Sequence, residues 1–441
     1  MNYLPEKVEN YLSKYSLPNW ELENTGISKI DSAIVIPAIS EYQNIRYLLE
    51  SLSKNDNKYF ASTLIIFVIN NSPSSDKEVK DDNQKSIKLI HSLISKQEID
   101  EFSKKIISSG LRLALVDAAS KGKELSEKEC GVGFARKIGM DLALSAFDYT
   151  TQKNKLIISL DADCTVQNNY ITAIIDSFYT KNFSAASVKF EHFISENKTA
   201  EAIICYEIFL RYYMLGLKLA GSPFAFQIVG STMVFNLDTY IKVEGMNKRK
   251  AAEDFYFLEK IAKRSKIEEI DSTTVYPSSR SSWRVPFGTG RSVQRFIDKL
   301  QNEYLLYDPE SFLVLKDWLK VFNNYEKISV KEYLSIAGNI HPALYQFLIE
   351  NKFENSWNKI FNNSKSSSQL KKQKVNWFDG LRTLKLVHYL RDKAFPLINM
   401  FDALDSILSY FNYSPGVKRN NDEVPKKDEQ IIYLNILRKL T

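Results

Sequence analysis

Four short apolar runs constrain this chain more than any other feature. Ser32-Ala-Ile-Val-Ile-Pro-Ala38, Leu64-Ile-Ile-Phe-Val-Ile-Asn70, Leu111–Asp117 and Leu156–Leu160 are dense in apolar and β-branched residues. Runs of this kind read as strands buried on both faces. Between them the period is helical: 41–54 places Ile45, Leu48, Leu49 and Leu52 on one face, and 83–107 and Phe134–Phe147 read as further helices. Strands alternating with helices predict a parallel α/β sheet with right-handed crossovers. Ligands of such sheets bind at the carboxyl ends of the strands. Those ends carry Glu41, Asn71, Asp117, Asp161 and Asp163.

From about 185 the pattern changes. A strand is expected at Ala186–Phe190, a long apolar helix at 199–220, an apolar run at Gly230–Phe235, a helix at 253–264 and a loop at 277–292. After 293 the segments 293–306, 311–324, 330–350, 376–390, 396–411 and 430–440 all read as helices, and Ser364–Lys374 as a polar linker. At roughly 100–200 residues per domain, 441 residues fit two or three units. The expected division is an N-terminal helical extension at 1–28, a sheet domain at 29–295 and an all-helical region at 296–441.

Several function classes drop out. A net charge of +6 is too mild to imply nucleic acid. Cys130, Cys164 and Cys205 form no CxxC, and His91, His192, His341 and His388 have no metal-ligand spacing, so a zinc site is not expected. The N-terminus lacks the apolar core of a signal peptide. The apolar stretch Ala202–Phe235 carries Glu207, Arg211 and Lys218, which argues against a membrane span and for a buried helix covering the sheet edge. A cytoplasmic protein is expected, at most peripheral at the inner membrane face.

Four constellations carry chemistry. Asp161-Ala-Asp163 follows an apolar strand directly; two carboxylates there suit Mn²⁺ or Mg²⁺, which would bridge to a substrate diphosphate, and an Asx-turn is the structural alternative. Gly131-Val-Gly-Phe-Ala-Arg136-Lys-Ile-Gly139 opens a helix and could cradle an anion, or its glycines could serve packing alone. Glu253-Asp254 opens another helix, where acidic residues also act as ordinary dipole partners. Arg280, Arg284 and Arg291, in a loop with Gly288 and Gly290, form a plausible anion clamp or a solvated basic loop.

Taken in this order, Val35-Ile-Pro37-Ala38 with Glu41, Val68-Ile-Asn-Asn71-Ser72, Ala135-Arg-Lys-Ile-Gly139, Asp161-Ala-Asp163, Gly230-Ser-Thr-Met and Glu253-Asp254 resemble the family-2 glycosyltransferases. The resemblance covers roughly residues 30–295. Ala225–Met233, Gly245-Met-Asn-Lys-Arg, Glu253-Asp-Phe-Tyr-Phe-Leu258 and Arg284–Gly290 look like a bacterial subgroup of that family. The resemblance implies the A-type, Rossmann-like fold: a mixed sheet flanked by helices. It further implies a nucleotide-sugar donor, an acceptor hydroxyl and a Mn²⁺ or Mg²⁺ cofactor. By the same resemblance Pro37, Ala38, Glu41, Asn71, Ser72, Asp117, Arg136 and Asp161 would bind the donor. Asp163, with Asp161, would hold the metal. Asp254 would be the general base of an inverting transfer, with Glu253 beside it. The start of the helix is expected to keep Asp254 ionised. Asn70-Asn71 stands where the family often has aspartates, and Lys137 where asparagine is usual. The QxxRW signature of processive synthases is absent. A retaining transferase on the same fold, or a nucleotide- or glycan-binding protein without turnover, are the alternatives. A nucleotidyltransferase would carry a glycine-rich basic loop after the first strand, and Pro37-Ala-Ile-Ser-Glu41 has none.

Overall fold

The computed structural model describes residues 4–23, 26, 28–194, 199–280, 288–324, 327–420 and 423–441. They form two compact units, the first running to Phe193 and resuming over Ile228–Ser279, the second comprising Ile194–Gln227, Arg280 and Gly288–Thr441.

The first unit holds, in chain order, α1 (Glu6–Tyr15), β1 (Ser32–Ala38), α2 (Tyr42–Ser53), β2 (Thr63–Asn70), α3 (Lys77–Ile94), α4 (Glu101–Ser109), β3 (Arg112–Ala118), α5 (Val132–Ala146), β4 (Leu156–Ser159), β5 (Thr165–Val166), α6 (Tyr170–Lys181) and β6 (Ala185–Phe190). After α7 (Ala200–Leu219), which belongs to the second unit, come β7 (Met233–Asn236), α8 (Leu237–Lys242), α9 (Glu253–Ala262) and β8 (Ile267–Tyr276). Among the described residues the sheet order is β3-β2-β1-β4-β7-β6-β8-β5. The first four strands are mutually parallel, as their apolar runs imply. β7 then runs antiparallel to both β4 and β6, β6 and β8 are parallel, and β5 is antiparallel to β8. The sheet is therefore mixed and flanked by helices, as expected.

That one reversal positions the site. Ile158 of β4 faces Val234 of β7, so the turn entering β7, Gly230-Ser-Thr232, lies beside the loop leaving β4. Helix α5 crosses β1 and β2 very closely: a Cβ on Gly139 would sit 2.5 Å from Val35 Cγ1 and 2.8 Å from Val68 Cγ2.

Three local expectations are corrected. The helix read over 83–107 is two helices, α3 and α4, because Asp100 and Ser103 form a capping box that starts α4 afresh. β8 was not expected at all; its charged and hydroxyl residues, IEEIDSTTVY, hide a strand with exposed positions. Between β4 and β6 the short β5 and helix α6 were likewise not read.

In the second unit α7 is joined by α10 (Thr289–Ile297), β9 (Leu305–Leu306), α11 (Pro309–Phe322), α12 (Val330–Ile340), α13 (Pro342–Glu350), α14 (Phe353–Asn363), α15 (Ser367–Trp377), α16 (Gly380–Lys393), β10 (Ile398–Asn399), α17 (Met400–Ser409) and α18 (Lys427–Leu440). The region is helical as expected, apart from the small antiparallel β9–β10 ladder. The helix read over 330–350 breaks at His341-Pro342, since proline lacks the N–H that would continue the ladder. The expected linker Ser364–Lys374 is largely helix α15, capped by Ser366 and buried through Leu370, Lys374 and Trp377. Helix α7 packs against α10, α11, α17 and α18. Ile204, Ile208, Tyr212 and Leu215 enter the apolar core, and buried Glu207 accepts from Arg211 and Arg438, each Nε at 2.8 Å. Among the described residues no helix is long and apolar enough to cross a membrane.

Candidate active site

The carboxyl ends of β1, β2 and β3 are tied together by side-chain amides. Asn83 of α3, buried, accepts from Ser40 N–H at 2.8 Å and donates through Nδ2 to Asn70 O and Asn71 Oδ1 at 3.0 and 2.8 Å. Asn70 Nδ2 in turn donates to Ala38 O at 3.1 Å. Ser40 holds a left-handed backbone, φ 54°, which that bond helps to secure. Pro37, Ala38, Glu41, Asn71, Ser72 and Asp117, all sequence candidates, are buried around these ends. Asp117 Oδ1 accepts from Ala119 and Ser120 N–H at 3.1 and 2.9 Å. Burial works against its charge, but these N–H groups and Lys123 outweigh it and hold the carboxyl below its usual range. Sequence reading missed Asn83: an asparagine inside a helix carries no outward mark except its poor helix propensity.

At the end of β4, Ala162 and Cys164 turn inward, while Asp161 and Asp163 are half-exposed on the other side. Arg136, buried on α5, reaches two carboxylates there. One Nη pairs with Asp161 and the other with Glu253. Burial disfavours its charge, but Asp161, Glu253 and Asp254 more than compensate and raise its pKa. The guanidinium fills the space above Gly230: a Cβ there would sit 2.4 and 2.6 Å from the two Nη atoms and 2.7 Å from Cζ. The glycines of the Gly131–Gly139 stretch serve close approach. A Cβ on Gly133 would meet Arg249 O at 2.4 Å and Glu253 Cβ at 2.8 Å.

Glu253 and Asp254 open α9 after Ala252, which has φ 55°. That is a left-handed conformation costly for alanine. Glu253 is buried; Asp254 is half-exposed and accepts from Phe255 N–H at 2.8 Å. Two influences act on the pair beside the start of the helix: burial and the Arg136 charge. Burial pushes Glu253 up to about 7 against the pull of Arg136, with the charge of Asp254 adding to the rise. Burial also raises Asp254, again opposed by Arg136.

The remaining candidates are the three arginines of the expected anion clamp. Arg284 lies outside the described residues. Arg280 and Arg291 belong to the second unit. Among the described residues no group of three or more His, Cys, Asp or Glu is arranged around a metal position. The three cysteines are free thiols.

No protein-family model matches the sequence, and no curated protein sequence matches it either. Several solved structures are similar. S. aureus TarS 1–349 is 11% identical, with 87% of this chain and 91% of that chain covered and a TM-score of 0.38. Its complex with UDP-GlcNAc is 10% identical, covering 87% and 92%, with a TM-score of 0.40. Glucosyl-3-phosphoglycerate synthase from Mycobacterium tuberculosis, in complex with Mn²⁺, UDP and glucosyl-3-phosphoglycerate, is 11% identical, covering 69% and 86%, with a TM-score of 0.33. At such identities and scores no residue role carries across, and the site stands on its own geometry.

Proposed function

We propose that the chain is an inverting glycosyltransferase that moves one sugar from a nucleotide-sugar to an acceptor hydroxyl. The carrying observation is the Arg136 bridge, which ties Asp161 at the end of β4 to the Glu253-Asp254 pair at the start of α9. A transfer site needs a nucleotide end, a diphosphate position and a base on the acceptor side. The polar strand ends from Glu41 to Asp117 suit the first. Asp161 and Asp163 suit the second, and the acidic pair suits the third.

Asp254 is the more accessible of the pair and is the general base in this reading. It takes the proton of the acceptor hydroxyl as the oxygen attacks the anomeric carbon. The bond from that carbon to the diphosphate oxygen breaks, and its electrons leave with the nucleoside diphosphate. Burial raises the pKa of both carboxylates, and a raised pKa suits a group that must take up this proton. Glu253, engaged by Arg136, orients the pair. The donor set at β4 fits a hard divalent cation that keeps waters and substrate oxygens, since Mg²⁺-type sites commonly use one or two carboxylates. Asp163 would be its ligand, with Asp161 shared with Arg136. When bound, such a cation neutralises charge on the departing diphosphate.

The test is turnover of UDP-, GDP- and dTDP-sugars with Mn²⁺. Asp254→Asn should keep its melting temperature and nucleotide affinity while kcat falls by about 10²-fold or more. Lower stability with unchanged turnover makes Asp254 a structural residue only. Failure to bind any nucleotide-sugar ends the reading.

A further inference from the structure

The N-terminal segment makes a continuous run of contacts behind the acidic pair that sugar transfer does not itself require. Helix α1 buries Val8 and Tyr11. The Tyr11 hydroxyl donates to Asp141 Oδ1 at 2.8 Å, and the Tyr240 hydroxyl to the same oxygen at 2.7 Å. Lys137 Nζ donates to Asp141 Oδ2 at 2.8 Å and to the Tyr11 oxygen at 3.3 Å. All four side chains are buried. A buried ion pair is tolerated when further hydrogen bonds meet its remaining lone pairs and protons, and the two tyrosines do this here. Lys137 is thus held by Tyr11 of α1 and Asp141 of α5, and Asp141 in turn by Tyr240 of α8.

Tyr11 also reaches the turn that leads to the acidic pair. A Cβ on Gly245, whose φ is +71°, would sit 1.9 Å from the Tyr11 oxygen. Two residues on, Asn247 Nδ2 donates to Glu253 O at 2.7 Å. Glu253 holds Arg136, the neighbour of Lys137 on α5. Further along the segment, Trp20 Nε1 donates to Lys123 O at 2.9 Å. Glu23 pairs with the β3 backbone at Leu115 and accepts Lys123 Nζ at 3.0 Å. That same ammonium lies 3.4 Å from Asp117.

We propose that residues 5–23 form a positioning strap that sets both ends of the site from behind. At one end Tyr11 seats the 245–253 turn and α5. At the other, Trp20 and Glu23 hold the loop after β3 that carries Lys123 beside Asp117. Tyr11 touches no substrate; it acts through Gly245, Asn247 and Glu253. Its effect on turnover rests on the glycosyltransferase reading, whereas its effect on the turn does not.

The test is Tyr11→Phe, which keeps the ring and removes the donor to Asp141. Hydrogen–deuterium exchange is followed over 243–255 and 132–146, alongside melting temperature, kcat and donor KM. The expected result is exchange over 245–253 faster by about 5-fold or more, as local opening becomes easier. The melting temperature falls only modestly, because Tyr240 and Lys137 still hold Asp141, kcat falls roughly 5–10-fold and donor KM moves less than about 2-fold. Gly245→Ala should likewise speed exchange over 245–253, and in addition lower the melting temperature, because its φ of +71° and the Tyr11 oxygen at 1.9 Å both strain the new side chain. The double variant should fall short of the product of the single effects, because the oxygen that meets the new Cβ is gone. Lys7→Ala removes only an exposed pair with Asp238 and should change nothing. Unchanged exchange over 245–253 in Tyr11→Phe, or fully multiplicative effects in the double variant, overturns the strap. Faster exchange in a protein that turns over no nucleotide-sugar upholds the strap and removes the transferase reading.

Discussion

Gly230→Ala tests the geometry of the bridge directly. The added methyl would lie 2.4–2.7 Å from three atoms of the Arg136 guanidinium. Ordinary contact needs about 3.4 Å or more, so one partner must move by close to 1 Å. Little can give. The guanidinium is pinned by Asp161 and Glu253, and the turn at 230–232 runs straight into β7, with Thr232 Oγ1 3.1 Å from Ser187 Oγ. A shift of that size spoils at least one of the two charge-assisted bonds, each worth about 1.5–3 kcal/mol. The first unit should therefore lose about 2–3 kcal/mol. Urea-dependent hydrogen exchange over α5 and β4 reads that loss within the unit. Arg136→Met supplies the cycle. It should cost about 3–5 kcal/mol by stranding buried acid, and Gly230→Ala added to it should cost almost nothing more, because the methyl then has room. A loss under about 1 kcal/mol for Gly230→Ala alone, or full additivity with Arg136→Met, refutes the argument.

The acidic pair sets a pH dependence: its base form is needed, so kcat/KM should fall as pH drops through about 7, where Glu253 sits, and a rate flat from pH 8 to pH 5 contradicts this. Excess EDTA should abolish turnover, and Asp163→Ala should remove both activity and its dependence on Mn²⁺; full turnover in EDTA excludes the cation. In the second unit, burial lowers Lys374 from 10.5 to about 8. The folded state then gives up its proton before the unfolded chain does, so this lysine's contribution to stability rises with pH from about 8 to about 10.5. Lys374→Met should flatten that rise, seen as the difference between wild-type and variant melting temperatures across the interval, and no difference between the two curves refutes the linkage.

Much of the frame was readable because apolar content alone determined it. β1, β2 and the buried face of α2 appear where their residues demand, since both faces of a parallel strand must be apolar. Elements with mixed surfaces were not readable. β8 alternates buried and exposed positions among charges, and α15 anchors itself through few residues, one of them a lysine. That lysine is stable there because Nζ donates to Tyr333 at 2.7 Å and lies 5.2–5.4 Å from the ring centroids of Phe322, Tyr333 and Trp357. No local pattern announces such a cage. In the site, the strand-end acids were legible as types. Their partners were not, because Arg136 meets Asp161 and Glu253 only after the β4–β7 reversal. The glycines at 131, 133 and 230 made sense only once their neighbours were in place.

The reversal at β7 and the strap behind it also bear on the order in which the chain can fold as it is made. Tyr11 waits for Asp141 and then for Tyr240. Lys7 and Tyr15 wait for Asp238 and Glu244, and Arg136 waits for Glu253. Until residue 253 has left the ribosome, Arg136 lacks one of its two counter-charges and α1 has no turn to seat. The four parallel strands are complete long before that, so a nascent chain of about two hundred residues carries a formed half-sheet with its β4 edge open. Such an edge invites pairing with another chain, and contacts this distant in sequence close slowly. Expression fragments cut between β6 and β7 should therefore aggregate more readily than the full chain.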